Sequence, residues 1–145
     1  MKTLPVAVQV YSVRDDAQKD FAGTMKKIKE IGYDGVELAG LYDLEPAVIK
    51  SAIEDAGLVS LSAHVPFQEL VTDMEGTIAK YVEIGVKFIA LPYLMEEDRP
   101  GTPKFEGNVK LFEEIAKACK AKGIQLLYHN HDFEFAKMPD GRYAL

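Results

Sequence analysis

A single cysteine, Cys119, stands in a chain of 145 residues, so no intramolecular disulfide can form and the fold must hold without a covalent staple. That usage suits a reducing compartment, and a cytoplasmic location is the expectation. Long apolar runs are also missing: none approaches the roughly 18–20 residues of a spanning helix. The start, Met1-Lys2-Thr3-Leu4-Pro5, has too short an apolar stretch for a secretion signal. There is no basic run, and 17 Lys+Arg against 23 Asp+Glu give a formal net charge of −6. A nucleic-acid partner bound through phosphate neutralisation is therefore not expected, because such proteins carry a basic patch. No membrane partner is expected either.

What is present is ample apolar material, 48% of residues against 28% charged, enough for one core-bearing domain over 1–145. Short apolar runs fall at Val6–Val13, Gly35–Ala39, Leu58–Val65, Lys87–Leu94 and Ile124–His129. Several are nearly continuous rather than alternating, which suits strands covered on both faces. Between them lie four stripes of helical spacing: Phe21, Met25, Ile28, Ile31; Ile49, Ala52, Ile53, Ala56; Met74, Ile78, Tyr81, Val82; and Leu111, Phe112, Ile115, Ala116, Cys119. Each stripe reads as a helix face buried on a sheet, and Cys119 as an inert member of one. Asp20 is placed to cap the first helix, and Pro46 to open the second. Gly32, Gly57, Gly85 and Gly123 each follow a helix and precede a strand, at intervals of 25, 28 and 38 residues. Pro100 and Gly101 mark a longer loop, Met95–Thr102, after the fourth strand.

Five strands with four crossover helices admit an open doubly wound sheet or part of a (β/α)8 barrel. An open sheet often carries a Gly-rich phosphate loop after its first strand, and here no glycine precedes Gly23. The expectation is an α/β fold, a TIM-type parallel barrel present as its N-terminal half, with about five strands and four helices. A full barrel takes ~250 residues. The sequence stops at Tyr143-Ala144-Leu145, where a fifth helix should begin, so a longer parent chain is expected. Open edges at the first and fifth strands would otherwise invite self-association, and a homo-oligomer is the other expectation.

Polar residues inside or just after the apolar runs are the functional candidates, because C-terminal strand ends converge on one face in such folds. Gln9, Tyr11 and Arg14 end the first run, Glu37 lies in the second, His64 ends the third and Tyr93 the fourth. His129, Asn130 and His131 end the fifth, followed by Asp132 and Glu134, so all three histidines of the chain fall at strand ends. Gln9 and Tyr11 either satisfy backbone groups or touch a ligand, and Tyr93 either packs or does the same. A carboxylate within a barrel strand is costly unless paired, so Glu37 is either a site residue or an ion-pair partner, with Arg14 the available cation. His64 is a site histidine or a hydrogen-bonded core one. His129 and His131, two apart on a strand, point to the same side. With a nearby carboxylate they could ligate a divalent metal or exchange protons with a sugar hydroxyl, the plain alternative being pairing with water.

The runs Gln9-Val10-Tyr11-Ser12-Val13-Arg14, Gly32-Tyr33-Asp34-Gly35-Val36-Glu37, Ser62-Ala63-His64-Val65-Pro66 and Tyr128-His129-Asn130-His131-Asp132-Phe133-Glu134-Phe135 resemble, in order, the sugar phosphate isomerase/epimerase family of xylose isomerase-like TIM barrels. The resemblance implies a divalent metal (Mn, Mg, Co or Zn) held by carboxylates and a histidine on strands five to eight, with most ligands outside this chain. It implies a small sugar, sugar phosphate or polyol as substrate. In epimerases of the family, glutamates on strands five and eight move the proton; here His129 and its neighbours stand where many relatives place the first of these. The roles expected are catalysis by His64 and His129, substrate binding by Gln9, Tyr11, Arg14, Glu37, Tyr93 and His131, and metal ligation by His129 and Glu134. The reaction expected is isomerisation or epimerisation through proton abstraction next to a carbonyl. The alternatives are an inosose-type dehydratase, an endonuclease IV-like repair enzyme and a non-catalytic carbohydrate-binding module.

Overall fold

The computed structural model describes residues 4–138 and 140–144; Met1–Thr3 and Leu145, on which the readings of the chain's start and end partly rested, lie outside the described residues. Five strands, β1 (Ala7–Gln9), β2 (Gly35–Ala39), β3 (Val59–His64), β4 (Phe88–Leu91) and β5 (Gln125–Tyr128), form one sheet in the order β1-β2-β3-β4-β5. Every pairing is parallel. A doubly wound sheet would reverse its order about the first strand, so the sequential order decides for the barrel arrangement.

Four crossovers connect the strands as expected, but they contain six α-helices rather than four. α1 (Arg14–Lys19) and α2 (Phe21–Ile31) share the first crossover, α3 (Pro46–Asp55) fills the second, α4 (Phe67–Thr72) and α5 (Met74–Ile84) share the third, and α6 (Phe105–Ala121) fills the fourth. The two extra helices are only six residues each and carry too few apolar positions to show a period. An aspartate separates each pair. Asp20 Oδ1 accepts the Gly23 N–H at 2.9 Å and Asp73 Oδ1 that of Gly76 at 3.0 Å, so each caps the longer helix that follows. Pro46 opens α3, and Gly32 and Gly85 close α2 and α5 in the left-handed conformation.

The strands are shorter than the apolar runs. β1 ends at Gln9, and Val10–Val13 turns into a 3-10 helix that drives Val10 into the core, so Tyr11 and Arg14 stand beyond the strand rather than in it. β4 stops at Leu91 because Pro92 has no N–H to extend the ladder. Side chains alternate across each strand. Val36 and Leu38 of β2 and Ile89 and Leu91 of β4 meet Met25, Ile28, Ile49, Ile53, Ile78 and Ile115 from the helices in one buried cluster. Each such side chain contributes about 1.5–3 kcal/mol by leaving water. Two stripe residues escape it: Ile31 is 75% exposed and Val82 40%.

The pairing of β2 with β3 is irregular. Val36 stands opposite Ser60 but Glu37 stands opposite Ser62, so Leu61 is an extra residue on β3. Without it Glu37 would face Leu61. A one-residue slip exchanges the faces of a strand, and here it puts Ser62 and His64 on the face of Glu37. That face looks away from the helices.

β1 and β5 are paired on one side only among the described residues. No helix among them is long and apolar enough to cross a membrane. Gly35 is buried where β2 meets β3, and a Cβ there would lie 2.8 Å from the Val59 carbonyl oxygen. Gly35→Ala should therefore lower stability by about 1–3 kcal/mol in chemical denaturation, because the obstacle is backbone and cannot rotate away. An unchanged midpoint would show that the strands separate freely.

Candidate active site

Because the strands are parallel, their C-terminal ends open on one side, and a cleft of about 460 Å³ lies there. Gln9, Tyr11, His64, Glu69, Tyr93, His129 and His131 are among its lining residues. Six of these were singled out in the sequence; Glu69, from α4, was not, since no signal foretold that helix.

Next to this lining, half-buried between Gln9 and Ser62, stands Glu37. Its Oε1 accepts the Gln9 side-chain amide at 2.8 Å and lies 3.1 Å from His64 Nε2, while its other oxygen accepts the Ser62 hydroxyl. Three donors hold the carboxylate. The hydrogen bond from His64 is the largest influence and, with those from Gln9 and Ser62, outweighs burial to hold its pKa at about 2. Glu37 is thus an anion at any ordinary pH. Its partner is His64 rather than Arg14: the Arg14 guanidinium lies over the Tyr11 ring at 4.4 Å and donates to the Tyr11 carbonyl at 2.9 Å. Ser62 was passed over in the sequence, although its place two residues before His64 puts both on one strand face.

The Glu37 contact assigns the His64 tautomer. An anionic carboxylate can only accept, so Nε2 must carry the proton that it receives. Gln9 Nε2 is 3.3 Å from the same nitrogen and 2.8 Å from the carboxylate; one of its N–H groups bonds the latter, and a protonated His64 Nε2 cannot accept the other. Nδ1 is left as the one basic atom of the ring. The His64 ring meets His129 edge-on at 4.7 Å between centroids, and His129 meets His131 at 4.9 Å. Burial first, then the neighbouring His64 and His131, lower the His129 pKa. The His129 N–H donates to the Leu91 carbonyl at 3.0 Å, which carries the β4–β5 ladder one residue past β5.

Glu134 is placed differently. It is 1% exposed, accepts the Tyr128 hydroxyl through one oxygen and the His131 backbone N–H at 2.7 Å through the other. Tyr128 points to the helix side, and Glu134 shares with it an apolar cavity of about 490 Å³ against α6 rather than the strand-end cleft. Burial and the Glu134 hydrogen bond raise the Tyr128 pKa. The carboxylate thus fastens the turn that presents His131, with both of its oxygens taken by Tyr128 and the His131 N–H. Among the described residues no group of three or more His, Cys, Asp or Glu side chains is arranged to hold a metal ion. Cys119 is buried in α6, which pushes its thiol up to about 11, and it reaches neither cavity lining.

No protein-family model and no curated protein matches the chain. Solved structures do. A sugar phosphate isomerase/epimerase from Parabacteroides distasonis ATCC 8503 aligns over 99% of this chain and 60% of its own, with TM-score 0.74 and 22% identity. A xylose isomerase-like TIM barrel protein from Mycobacterium smegmatis, in complex with magnesium, aligns over 87% of this chain and 55% of its own, with TM-score 0.56 and 15% identity. The fold is half of a xylose isomerase-like TIM barrel. An AP endonuclease of family 2 from Brucella melitensis shares it, over 86% of this chain and 51% of its own, with TM-score 0.67 and 15% identity. The chain spans about half to three-fifths of the length of these structures. At such identities the likeness concerns the fold, and the barrel supports many chemistries.

The low pKa of Glu37 has a measurable consequence. A carboxyl group with a folded pKa of about 2 and an ordinary value of 4.5 adds stability that is complete above 4.5 and fades as pH falls towards 2. Relative to Glu37→Gln, the native chain should therefore lose stability on acidification within that window, followed by denaturant midpoints at several pH values. Parallel curves for the two proteins would show that the carboxylate is not held by its three donors.

Proposed function

We propose that this chain supplies one side of the active site of a metal-assisted isomerase or epimerase. The substrate is a small sugar, sugar phosphate or polyol in its carbonyl form, and the key step is proton abstraction next to that carbonyl. The observation that carries the reading is the Glu37–His64 pair at a cleft that Gln9, His129 and His131 also line. A neutral imidazole whose Nε2–H is fixed by an anion offers Nδ1 as general base, and the carboxylate stabilises the imidazolium that forms. Gln9 and Ser62 support the pair by holding Glu37. Glu37 acts through His64, because both of its oxygens are already engaged by Gln9, Ser62 and His64. His129, its pKa lowered by burial, accepts or donates a hydrogen bond at a sugar hydroxyl beside His131. Tyr11 and Tyr93 form the exposed rim, with Arg14 behind Tyr11.

A divalent ion belongs to this proposal on the strength of the sequence resemblance and of the magnesium in one structure of the same fold. The described residues do not complete a site for it, and Glu134 is committed to Tyr128 and His131. His129 is the donor this chain offers, and no step above runs through the ion. The same reading places the protein in the cytoplasm, and places a second copy or a longer chain against the open edges of β1 and β5. An inosose-type dehydratase begins with the same abstraction and differs in expelling a hydroxyl, so product analysis separates the two.

The test is a panel of aldoses, ketoses, their phosphates and inososes, incubated with the protein in deuterated water with and without added Mn, Mg, Co or Zn. Deuterium should enter at the carbon next to the carbonyl, seen by NMR. His64→Gln should slow that exchange about 10²–10⁴-fold, the usual contribution of a general base, with little change in unfolding midpoint. If no member of the panel exchanges, the reading falls; if His64→Gln exchanges at the native rate, His64 is structural.

A further inference from the structure

The rim residue Tyr93 is held by a device that the proton-transfer pair does not involve. Pro92 ends β4, so Tyr93 leaves the sheet and its ring lies across the β5 end, edge-on to His131 at 5.5 Å and to Phe133 at 5.4 Å. Arg99, six residues on, returns to the same place. Its guanidinium lies 3.7 Å over the Phe133 ring and 5.0 Å from the centroid of Tyr93, its Nε donates to the Leu94 carbonyl at 3.0 Å, and its Nη2 donates to the Tyr93 hydroxyl oxygen.

An exposed arginine touching a tyrosine often contributes little, because the side chain is free to leave. Arg99 is not free. The Thr102 hydroxyl donates to the Arg99 carbonyl at 2.8 Å, and Asn108 of α6 grips Asp98 through both the backbone and side-chain oxygens at 3.2 and 3.1 Å. The backbone is thereby fixed on either side of the guanidinium, which is itself sandwiched by an aromatic face and a carbonyl.

This arrangement decides what the Tyr93 hydroxyl can do. A phenol oxygen has one proton and can accept as well as donate. Arginine only donates, so at its contact with Arg99 the phenol oxygen is the acceptor. The Tyr93 proton has no acceptor among the described residues, and Tyr93 lines the cleft. We infer that Arg99 is a positioning residue that makes Tyr93 a dedicated hydrogen-bond donor to a ligand oxygen that can only accept, the carbonyl oxygen of the sugar. A hydroxyl could serve as donor or acceptor and needs no such arrangement; a carbonyl is matched by a fixed donor and gains most from it when its oxygen becomes negative. The inference rests on the function proposed above and adds to it the group that recognises the carbonyl.

The measurement is binding to the full chain, by NMR shift perturbation or calorimetry, of neutral ligand pairs that differ in a carbonyl and in ring N–H against ring oxygen, with the variants isolating the carbonyl's share. Sugar 1,5-lactams of five and six carbons serve, each matched with the 1,5-anhydroalditol of the same stereochemistry. The native protein should bind the favoured lactam about tenfold tighter than its partner, the amount expected of one good hydrogen bond. Tyr93→Phe and Arg99→Met should each weaken the lactam about tenfold and the anhydroalditol by much less, so that the preference disappears. A preference that survives Tyr93→Phe or Arg99→Met, or is absent from the native protein, overturns the inference alone. Loss of both ligands in both variants would make the two residues merely structural and overturn it as well. If the native protein binds neither member of any pair, the proposed function fails and the inference goes with it.

Discussion

A carboxylate in the middle of a barrel strand is tolerable only if its lone pairs find donors, and the candidate site is organised around meeting that condition for Glu37. The donors come from both flanking strands, Gln9 from β1 and Ser62 and His64 from β3. Two of the three would be impossible in a regular ladder. The extra residue Leu61 turns Ser62 and His64 to the Glu37 side, and without it an isobutyl group would stand before the charge. The bulge is thus bound to the electrostatics: removing one partner from a buried ionic group costs far more than the pair gains. Backbone irregularity, the anion and the histidine tautomer form one unit.

The second organised region is held by different forces. Around the ends of β4 and β5, aromatic edges and one guanidinium pack Tyr93, His131 and Phe133 together, and Glu134 closes the turn from below through Tyr128 and the His131 N–H. Here the buried carboxylate is structural, whereas at Glu37 the carboxylate sets the state of a cleft residue. Both are satisfied by donors; only the first has an imidazole as one of them. The two regions meet where the His64 and His129 rings touch.

The sheet was legible in the sequence because it depends on patterns that survive without context: nearly continuous apolar runs, glycines at helix ends, and an aspartate before a helical stripe. The strand limits were less so. Val10 is as apolar as its neighbours, and only the fold decides that the chain leaves β1 at Gln9 to bury it. The short helices α1 and α4 span too few turns to show a period. In the site, the strand-end rule drew His64, His129 and His131 to one cleft because alternation and parallel order are enough to place them. It could not pair Glu37 with His64 over Arg14, since that choice turns on a one-residue bulge with no sequence mark. Nor could it place Glu134: beyond the end of β5 alternation stops, and a turn can send a side chain to either face.

That boundary also bears on where recognition and chemistry divide. Residues placed by the ladder, Gln9 with a paired strand on one side and Glu37, Ser62 and His64 with one on both, have positions fixed by backbone pairing, which is what a proton-transfer geometry requires. Residues beyond the ladder, Tyr11, Tyr93, Arg99 and His131, owe their positions to side-chain packing between loops. A change of loop can alter them without moving the sheet. In a barrel the same strand-borne pair can therefore serve different ligands as the rim changes. On the proposed function, the rigid part of this chain would set which bond is loosened, and the loops after β1, β4 and β5 whose bond it is.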